Sequence, residues 1–367
     1  MPVKSRKQAL RRSRIDRLRC SFSQLRADAI LVSNLPNIQY LCGFSGSAGL
    51  LLVESSQSTL FTDSRYTFQA REEVTEARVA IATHGLITAV GAALKARQAQ
   101  KRVAYSTAHV TVAQKAALAA AAGSRIRWVG DIDTVQKQRA VKDAEEIAVM
   151  RDAAILISQV FEKTLPKIRP GISELDLAVE IEYTMKKLGA SGPSFETIVA
   201  AGPHSAWAHA RPSSKRLKGG DLVVLDQGAI LRAYCSDMTR TVFVGNAPKR
   251  VQKLYRAVLE AQEAAKYAIH PGAMAGDVDA AARGVLKGYR FDQYFTHSTG
   301  HGLGLEVHEM PRIGRGENTT LQEGMVVTVE PGVYLEGLGG IRIEDDVVVT
   351  AKGALDLTTA PRDFLEL

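Results

Sequence analysis

The amino-terminal part of the chain alternates short apolar runs with segments of helical periodicity. Five runs rich in apolar and β-branched residues predict strands, and three segments between them predict helices. Such alternation indicates a small α/β domain, which we assign to residues 1–135. The predicted strands are Ala27–Ser33, Leu50–Val53, Thr59–Thr62, Arg78–Ala82 and Arg102–Tyr105, and the helices are Tyr66–Val74, Leu86–Gln98 and Val112–Ala122.

After a polar, charge-rich stretch, Gln136–Glu146, which we interpret as the domain boundary, the pattern changes. Two helices are followed by antiparallel strands, and the same plan then recurs. Residues 140–367 are therefore predicted to form an internally duplicated α+β domain. Its first copy comprises Glu145–Leu165, Glu174–Leu188, Thr197–Ala201, Leu222–Gly228 and Met238–Val244, and its second Val251–Ile269, Asp277–Gly288, Met325–Glu330 and Ile341–Thr350.

The composition is that of a globular protein. Of the 367 residues, 46% are hydrophobic and 23% charged, which argues against disorder. No apolar run approaches the roughly 18 residues that a spanning helix needs, and no apolar stretch follows the basic start as in a secretory signal. Cys20, Cys42 and Cys235 form no paired motif. We therefore expect a cytoplasmic protein without membrane contact.

The net charge of +8 is concentrated at the amino terminus. Residues 1–19 contain eight basic side chains and one acid, so they carry +7 of it. A nucleic-acid-binding domain would spread its cations over a folded face, whereas these accompany an apolar helical stripe of Ile15, Leu18, Phe22 and Leu25. We interpret the segment as a solvated first helix, with binding to nucleic acid or an acidic partner as the less favoured alternative.

Four carboxylates stand at the ends of apolar strands or inside them. Asp226 and Glu330 each follow a run of apolar residues, and Glu344 lies within a β-branched run. Asp237 follows Asp226 across a segment that could form a hairpin turn. Ionised carboxylates in a dry core need cations nearby. Bound metal ions would supply these cations most economically.

Ion pairs offer a simpler interpretation of the same residues. Asp226 could cap a turn, and Asp237 could pair with Arg240. In a continuous strand Arg342 and Glu344 would share one face, so Arg342 is predicted to orient that carboxylate.

A cluster of histidines favours the metal interpretation. His297, His301 and His308 fall within twelve positions, and glycines around His301 let the backbone pass close to a bulky or charged group. The cluster does not match a zinc HExxH helix, and the chain lacks a dinucleotide loop, a nucleophile elbow and a Walker A loop. A lone histidine would more often be a packing residue, but this cluster accompanies four buried carboxylates.

Four carboxylates and one histidine resemble, in their order along the chain, the ligand set of the pita-bread metallopeptidases: methionine aminopeptidase, aminopeptidase P and prolidase. These residues are Asp226, Asp237, His301, Glu330 and Glu344. The resemblance covers about residues 140–350, and segments 43–49 and 62–66 resemble the amino-terminal domain of Xaa-Pro aminopeptidases, which prolidases and creatinases share. The motifs are LDQGA with Asp226, YCSDMTRT with Asp237, GHGLGLEVHE with His301, TVEPGVY with Glu330 and GIRIEDD with Glu344.

The resemblance implies an α/β amino-terminal domain followed by a pita-bread catalytic domain with two divalent ions. Asp226 would bind one ion, Asp237 and Glu344 would bridge both, and His301 with Glu330 would complete the other site. An oxygen-rich set with one imidazole suits Mn²⁺, with Co²⁺ or Zn²⁺ as alternatives. The ions would activate water and polarise the scissile carbonyl, while Glu330 passes a proton to the leaving nitrogen.

The same resemblance implies the substrate contacts. His209 and His308 would contact the substrate and stabilise the oxyanion, Tyr334 and Arg342 would support the site and touch substrate, and His297 would line the pocket for the proline ring. The chain departs from the family at Ala208, where proline is usual, and at Gln227, where an aromatic or aliphatic residue is usual.

The expected activity is removal of residue X from X-Pro peptide termini by a homodimeric Xaa-Pro aminopeptidase. An Xaa-Pro dipeptidase is the alternative, because Arg312 resembles a residue that prolidases use near the dipeptide carboxylate. A pita-bread protein without catalysis and a creatinase-like hydrolase are remote alternatives, since all five ligand types are present. We expect proline-containing peptides as partners and no nucleic acid.

Overall fold

The computed structural model describes residues 3–96, 101–131 and 133–367, without the side chains of residues 3–7. The chain divides into two compact units, Met1–Arg139 and Ala140–Leu367. Elements of the first unit are α1 (Val3–Cys20), α2 (Phe22–Leu25), β1 (Ala29–Val32), α3 (Leu35–Cys42), β2 (Leu50–Glu54), β3 (Ser58–Asp63), α4 (Thr67–Glu73), β4 (Arg78–Ala82), α5 (Leu86–Lys95), β5 (Lys101–Ser106), α6 (Val112–Ala122), β6 (Ile126–Asp131) and α7 (Thr134–Ala140).

The first unit is the predicted α/β domain, built on a six-stranded sheet of order β4-β3-β2-β1-β5-β6. Strands β1, β5 and β6 run parallel, as do β3 and β4, while β2 is antiparallel to both of its neighbours. Helices α5 and α6 bury apolar side chains against this sheet. The resulting core includes Leu31, Leu52, Val90, Leu94, Val103 and Leu118.

All five predicted strands and three predicted helices of this unit form. The division between the two units, after Arg139, falls within the predicted boundary stretch Gln136–Glu146. Gln136–Glu146 is no open linker, because α7 extends to Ala140 and α8 begins at Ala144. Helix α3 was not expected, although Asn34 caps it and accepts a hydrogen bond from the backbone N–H of Asn37. Residues 97 and 98 of the predicted Leu86–Gln98 helix lie outside the described residues.

The basic first helix is only partly a solvated face. Ile15 and Leu18 are buried as predicted, and the helix breaks at Ser21 before α2. Arg14 is also buried: it donates to the backbone oxygen of Tyr40 at 3.1 Å and stacks on the Tyr40 ring. Arg19 donates to the backbone oxygen of Glu54 at 2.9 Å. These arginines therefore help to anchor the helix to its own unit.

The second unit repeats one plan twice, as predicted. Helices α8 and α9 pack against the sheet β12-β9-β8, and α10 and α11 pack against the sheet β14-β13-β15-β18-β19. The elements are α8 (Ala144–Thr164), α9 (Glu174–Lys187), β7 (Gly192–Pro193), β8 (Ile198–Ala201), β9 (Leu222–Gln227), β10 (Ala229–Leu231), β11 (Tyr234–Cys235), β12 (Met238–Phe243), α10 (Lys249–Tyr267), α11 (Ala275–Gly288), β13 (Gly300–Gly302), β14 (Glu309–Ile313), β15 (Val326–Val329), β16 (Gly332–Leu335), β17 (Gly339–Arg342), β18 (Asp345–Thr350) and β19 (Gly353–Asp356).

The predicted strand Ile341–Thr350 is interrupted. Strand β17 ends at Arg342 and pairs with β16, whereas β18 begins at Asp345 and pairs with β15. Glu344 lies in the break, so the alternation that would put it on one face with Arg342 does not hold. Among the described residues, no helix is both long enough and apolar enough to cross a membrane.

Candidate metal centre and active site

The first sheet of the second unit brings Asp226 and Asp237 together. Strands β9 and β12 pair antiparallel, with Gln227 opposite Met238, so Asp237 lies just beyond the end of this ladder. The chain reverses between them at Arg232 and Ala233, whose φ angles of 49° and 76° form the tight turn. The hairpin suggested by the sequence therefore forms.

The other three candidate ligands come from the second half of the unit. His301 lies on β13, Glu330 directly follows β15, and Glu344 lies between β17 and β18. Thr239 of β12 joins the two halves, because its hydroxyl donates to Glu344 Oε2 at 2.6 Å and its backbone oxygen accepts from the Glu344 N–H at 3.1 Å.

The candidate ligands converge on a small volume. Ligand atoms of Asp237, His301 and Glu344 all lie within 4.8 Å of one another. His301 Nε2 is 3.7 Å from Asp237 Oδ2 and 3.5 Å from Glu330 Oε1. Asp226 belongs to the same cavity.

Burial, reinforced among the acids by neighbouring negative charge, shifts the pKa values of these groups. Burial, reinforced by Glu344 and Asp226, raises the pKa of Asp237 well above its usual range, and burial together with Glu330 raises that of Glu344. Burial also raises the pKa of Glu330 to about 8. In contrast, burial lowers the pKa of His301 to about 4, which favours the neutral imidazole that metals bind.

Two unsatisfied oxygens indicate that these residues fit a metal centre. Asp226 Oδ1 and Asp237 Oδ1 are buried and have no hydrogen-bond partner among the described residues. Buried polar atoms are almost always paired, so unpaired carboxylate oxygens on two residues that line one cavity indicate a site that fits a cation. Four carboxylates and one imidazole form a donor set suited to divalent metals.

Arg342 contacts a different carboxylate from the one predicted. Its guanidinium donates to Asp226 Oδ2 at 2.6 Å, to the Tyr334 hydroxyl at 2.6 Å and to Thr239 Oγ1 at 3.0 Å. The contact with Glu344 expected from strand alternation is replaced because the strand breaks there. Arg342 therefore fixes Asp226.

The alternative pairing of Asp237 with Arg240 does not occur. Arg240 is buried and donates instead to Asp345 Oδ1 at 2.8 Å and to the backbone oxygen of Glu344 at 2.6 Å. It also binds two backbone oxygens near the carboxyl terminus, those of Ala360 and Pro361. Arg240 therefore holds the segment that carries Glu344.

The cavity that contains these residues has a volume of about 670 Å³. Ten of the eleven predicted site residues line it, including His209, His297, His308 and Arg312. Tyr334 lies behind the wall, with its hydroxyl 2.9 Å from His297 Nε2. The structure therefore brings the predicted residues together in and around one cavity.

The histidines in this cavity differ in their surroundings. His297 is partly buried, and burial together with the Arg342 charge lowers its pKa to about 4. His308 is exposed at the rim and packs edge-on against the His301 ring, with centroids 4.3 Å apart. His209 is also exposed, on the loop after β8.

The sequence did not reveal what holds the His209 loop. Glu174, at the start of α9, is fully buried and accepts from the backbone N–H of Ala201 at 2.8 Å and from the Ser213 hydroxyl at 2.6 Å. His204 Nδ1 lies 2.9 Å from both of its carboxylate oxygens. An acidic residue in the first turn of a helix is usually explained by its favourable interaction with the helix dipole. The sequence around Glu174 therefore did not indicate that this carboxylate binds the loop.

Comparison with known proteins identifies the family. The model of metallopeptidase family M24 matches residues 148–351, and that of the creatinase/prolidase amino-terminal domain matches residues 14–141. The chain therefore belongs to metallopeptidase family M24.

Individual relatives extend over nearly the whole chain. The uncharacterized peptidase YqhT of Bacillus subtilis is 38% identical and aligns with 96% of this chain and 100% of its own. The structure of an Xaa-Pro dipeptidase from Bacillus anthracis superposes with a TM-score of 0.94 at 36% identity, over 97% of this chain and 100% of that one. The structure of an X-Pro aminopeptidase from Thermotoga maritima superposes with a TM-score of 0.87 at 37% identity, over 95% of this chain and 99% of that one.

These matches confirm the predicted fold class, an α/β amino-terminal domain followed by a pita-bread catalytic domain. The protein is an enzyme, a metallopeptidase, and family membership implies divalent metal ions and peptide substrates. The expectation of a proline peptidase agrees with relatives named both as dipeptidases and as aminopeptidases. A pita-bread protein without catalysis is therefore not supported.

Proposed function

We propose that this protein is a two-metal exopeptidase that hydrolyses the X–Pro bond at the amino terminus of peptides. The observation that carries the proposal is the cluster of carboxylates around His301. Two of them, Asp226 and Asp237, each have an unpaired oxygen and line the same cavity as His297. An Xaa-Pro dipeptidase is the second candidate.

The metal assignment follows the family resemblance and is supported by the convergence of the candidate ligands. Asp226, Asp237, His301, Glu330 and Glu344 would hold the two ions. We propose Mn²⁺ as the native metal, with Co²⁺ or Zn²⁺ as alternatives. When bound, the ions would lower the pKa of a water molecule and polarise the scissile carbonyl.

The protein supplies orientation and proton transfer. Arg342 holds the Asp226 carboxylate, and the Thr239 hydroxyl holds Glu344, so neither ligand can rotate freely. Glu330 would receive the proton of the attacking water and deliver it to the departing nitrogen. His209 and His308 would donate to the carbonyl oxygen as charge develops there.

Recognition of proline must rely on shape, because its nitrogen in a peptide carries no N–H. The proposed contact is the His297 ring. This ring lies edge-on against the Phe295 ring, with centroids 5.0 Å apart, and its Nε2 lies 2.9 Å from the Tyr334 hydroxyl. These neighbours fix the ring, and a fixed ring gives a defined surface for the pyrrolidine.

The exposed position of Arg312 in the cavity is the observation that favours the dipeptidase. Arg312 lines the cavity at the surface, where its Nε donates to the Ser298 hydroxyl at 2.8 Å and leaves much of the guanidinium exposed. A cation there could bind the carboxylate of an X-Pro dipeptide.

The two candidates are separated by one assay. We expect kcat/KM for an X-Pro-Y tripeptide to equal or exceed that for the X-Pro dipeptide, with cleavage only before proline. Turnover of dipeptides alone would establish the dipeptidase.

A cytoplasmic homodimer completes the proposal. The cytoplasmic location is supported by Cys20, Cys42 and Cys235, all free thiols. The dimer is supported by exposed apolar residues at helical spacing on α9, Leu175, Val179 and Tyr183. Sedimentation should give the mass of two chains, and Val179→Asp should shift it toward one.

A further inference from the structure

A second cleft of about 610 Å³ adjoins the catalytic cavity. Its lining includes Pro203, Trp207, Ala208, Thr296, Tyr334 and Glu336, and we call it the Trp207 cleft. Ala208 also lines the catalytic cavity, and Tyr334 bonds to His297, which lines that cavity too. The two spaces are therefore neighbours along the wall assigned to the proline ring.

Trp207 is the main apolar surface of this cleft. It is 67% exposed, an unusual degree for a side chain that is highly buried on average. An exposed aromatic side chain beside an active site is typical of a ligand-contacting surface.

The tryptophan is held in place although it faces solvent. Its ring packs edge-on against His204, with centroids 5.1 Å apart and planes at 75°. His204 is in turn held by Glu174, which is fully buried. The ring is therefore preorganised, so a ligand that packs on it loses little conformational entropy on binding.

We propose that the Trp207 cleft binds the part of a peptide substrate that follows the X-Pro pair. This inference rests on the proposed function, because an enzyme that removes an amino-terminal residue leaves the rest of the peptide on the proline side alone. The volume is in the range of sites that hold a whole small ligand, so it can accept more than one side chain.

The chemistry of the lining defines the preferred peptide. Trp207, Pro203 and the Tyr334 ring offer apolar and aromatic surface, which suits a leucine, proline or aromatic residue after the X-Pro pair. Glu336 is exposed at the rim and suits a basic residue further along.

The cleft and Arg312 are contacted by different neighbours of His297 in the chain. Thr296 lines the cleft, whereas Ser298 accepts a hydrogen bond from Arg312, which is not among the residues that line the cleft. A dipeptide carboxylate would turn toward Arg312, and a longer chain would continue toward Trp207.

Kinetics with peptides of increasing length test the subsite. The probes are Ala-Pro and Ala-Pro-Leu-Leu, assayed with the metal-loaded enzyme. In Trp207→Ala the ratio of kcat/KM for the tetrapeptide to that for the dipeptide should fall about tenfold, mainly through KM. Trp207→Phe should restore most of the ratio. The matched control is Tyr267→Ala, which should leave the ratio unchanged. Tyr267 is an aromatic residue at the end of α10 and is 92% exposed.

An unchanged ratio of the two kcat/KM values in Trp207→Ala would overturn the proposal.

Fluorescence gives a second readout that needs no turnover. The chain has two tryptophans, Trp128 and Trp207, so Trp128→Phe makes Trp207 the sole reporter. Addition of the product-like peptide Pro-Leu-Leu should shift the emission of Trp207 to shorter wavelength. The shift should be half complete at a peptide concentration equal to the inhibition constant of that peptide. Inhibition without any change in Trp207 emission would overturn the proposal.

The two experiments separate this inference from the proposed function. If the enzyme cleaves no X-Pro peptide, the proposed function fails, and the titration with Pro-Leu-Leu still decides whether peptide reaches Trp207. If X-Pro peptides are cleaved while both the ratio and the emission stay unchanged, the subsite fails alone.

Discussion

At the scale of single residues, buried acids from different motifs of the catalytic unit have different roles. Asp237 faces the cavity with one oxygen unpaired, whereas Asp345 pairs with Arg240 at 2.8 Å and with Lys266 at 3.1 Å, away from it. The nearby cations, Arg240 first, hold the pKa of Asp345 below its usual value despite its burial. One carboxylate is therefore available to a metal, and the other is a structural ion pair.

We expect Asp237→Asn and Asp345→Asn to fail in different ways. Loss of the proposed metal ligand Asp237 should lower kcat by more than about a hundredfold, with little change in the melting temperature of the metal-free protein. Asp345→Asn should lower the free energy of unfolding by about 1–3 kcal/mol, because it leaves buried cations undercompensated. Kinetics and thermal unfolding of both variants provide the check. Equal losses of kcat in the two variants would contradict the assignment of Asp237 to the metal site and of Asp345 to a structural ion pair.

Arg312 should matter only for the shortest substrates. Arg312→Ala should reduce kcat/KM for an X-Pro dipeptide by about ten- to a hundredfold, the equivalent of ~1.5–3 kcal/mol for a charged hydrogen bond. A tripeptide carries its carboxylate further out and should be nearly unaffected. Arg315→Ala, another exposed arginine nearby, is the matched control. Selective abolition of dipeptide turnover, with no tripeptide cleavage by the unaltered enzyme, would identify a dipeptidase.

At the scale of elements, one side chain of α9 holds both ends of the loop between β8 and β9. Glu174 accepts hydrogen bonds from Ala201 and Ser213, which flank the segment carrying His209. Within the loop, the backbone oxygen of Ala208 accepts from Arg342 at 3.1 Å, and the Ser205 hydroxyl accepts from the Gly340 N–H at 2.9 Å. Surface loops are usually mobile, so these contacts together give His209 and Trp207 defined positions.

We expect Glu174→Gln to loosen this loop. The amide nitrogen of glutamine would face the donors that now surround the carboxylate, so the free energy of unfolding should fall by about 1–3 kcal/mol. Because the loop carries His209, KM for X-Pro-Y should rise as well. Glu182→Gln, on the same helix without this network, is the control. If both KM and the free energy of unfolding are unchanged in Glu174→Gln, contacts other than those of Glu174 hold the loop.

At the scale of the whole catalytic unit, both halves of the duplication supply proposed metal ligands. Asp226 and Asp237 come from the first half, and His301, Glu330 and Glu344 come from the second. Metal ions bound between them would link the halves, since bringing these acids together without cations costs free energy.

Metal removal should therefore lower stability as well as activity. A ligand present at a hundred times its dissociation constant stabilises the folded state by about 2.7 kcal/mol, so chelation should lower the melting temperature and Mn²⁺ or Co²⁺ should restore it. In Asp237→Asn the same additions should shift the melting temperature much less. Complete X-Pro cleavage after exhaustive chelation, with no metal found by elemental analysis, would refute the metal requirement.

The sequence determined the features that arise locally. Apolar runs that end in a carboxylate, such as the one before Asp226, are visible without a structure because burial and charge conflict within a few residues. Helical and strand periodicity likewise gave the two domains and the duplication. Helix α3 was missed, although its Asn34 cap and the proline in its first turn are typical of a helix start.

Only the tertiary structure decided which groups meet. Arg342 bonds to Asp226 because the strand breaks before Glu344, and a break is set by pairing with two different neighbours. Glu174 reaches residues about 30 and 40 positions away along the chain, and the exposure of Trp207 depends on what packs beside it. Such contacts depend on the sum of weak interactions across the fold, which local sequence patterns do not encode.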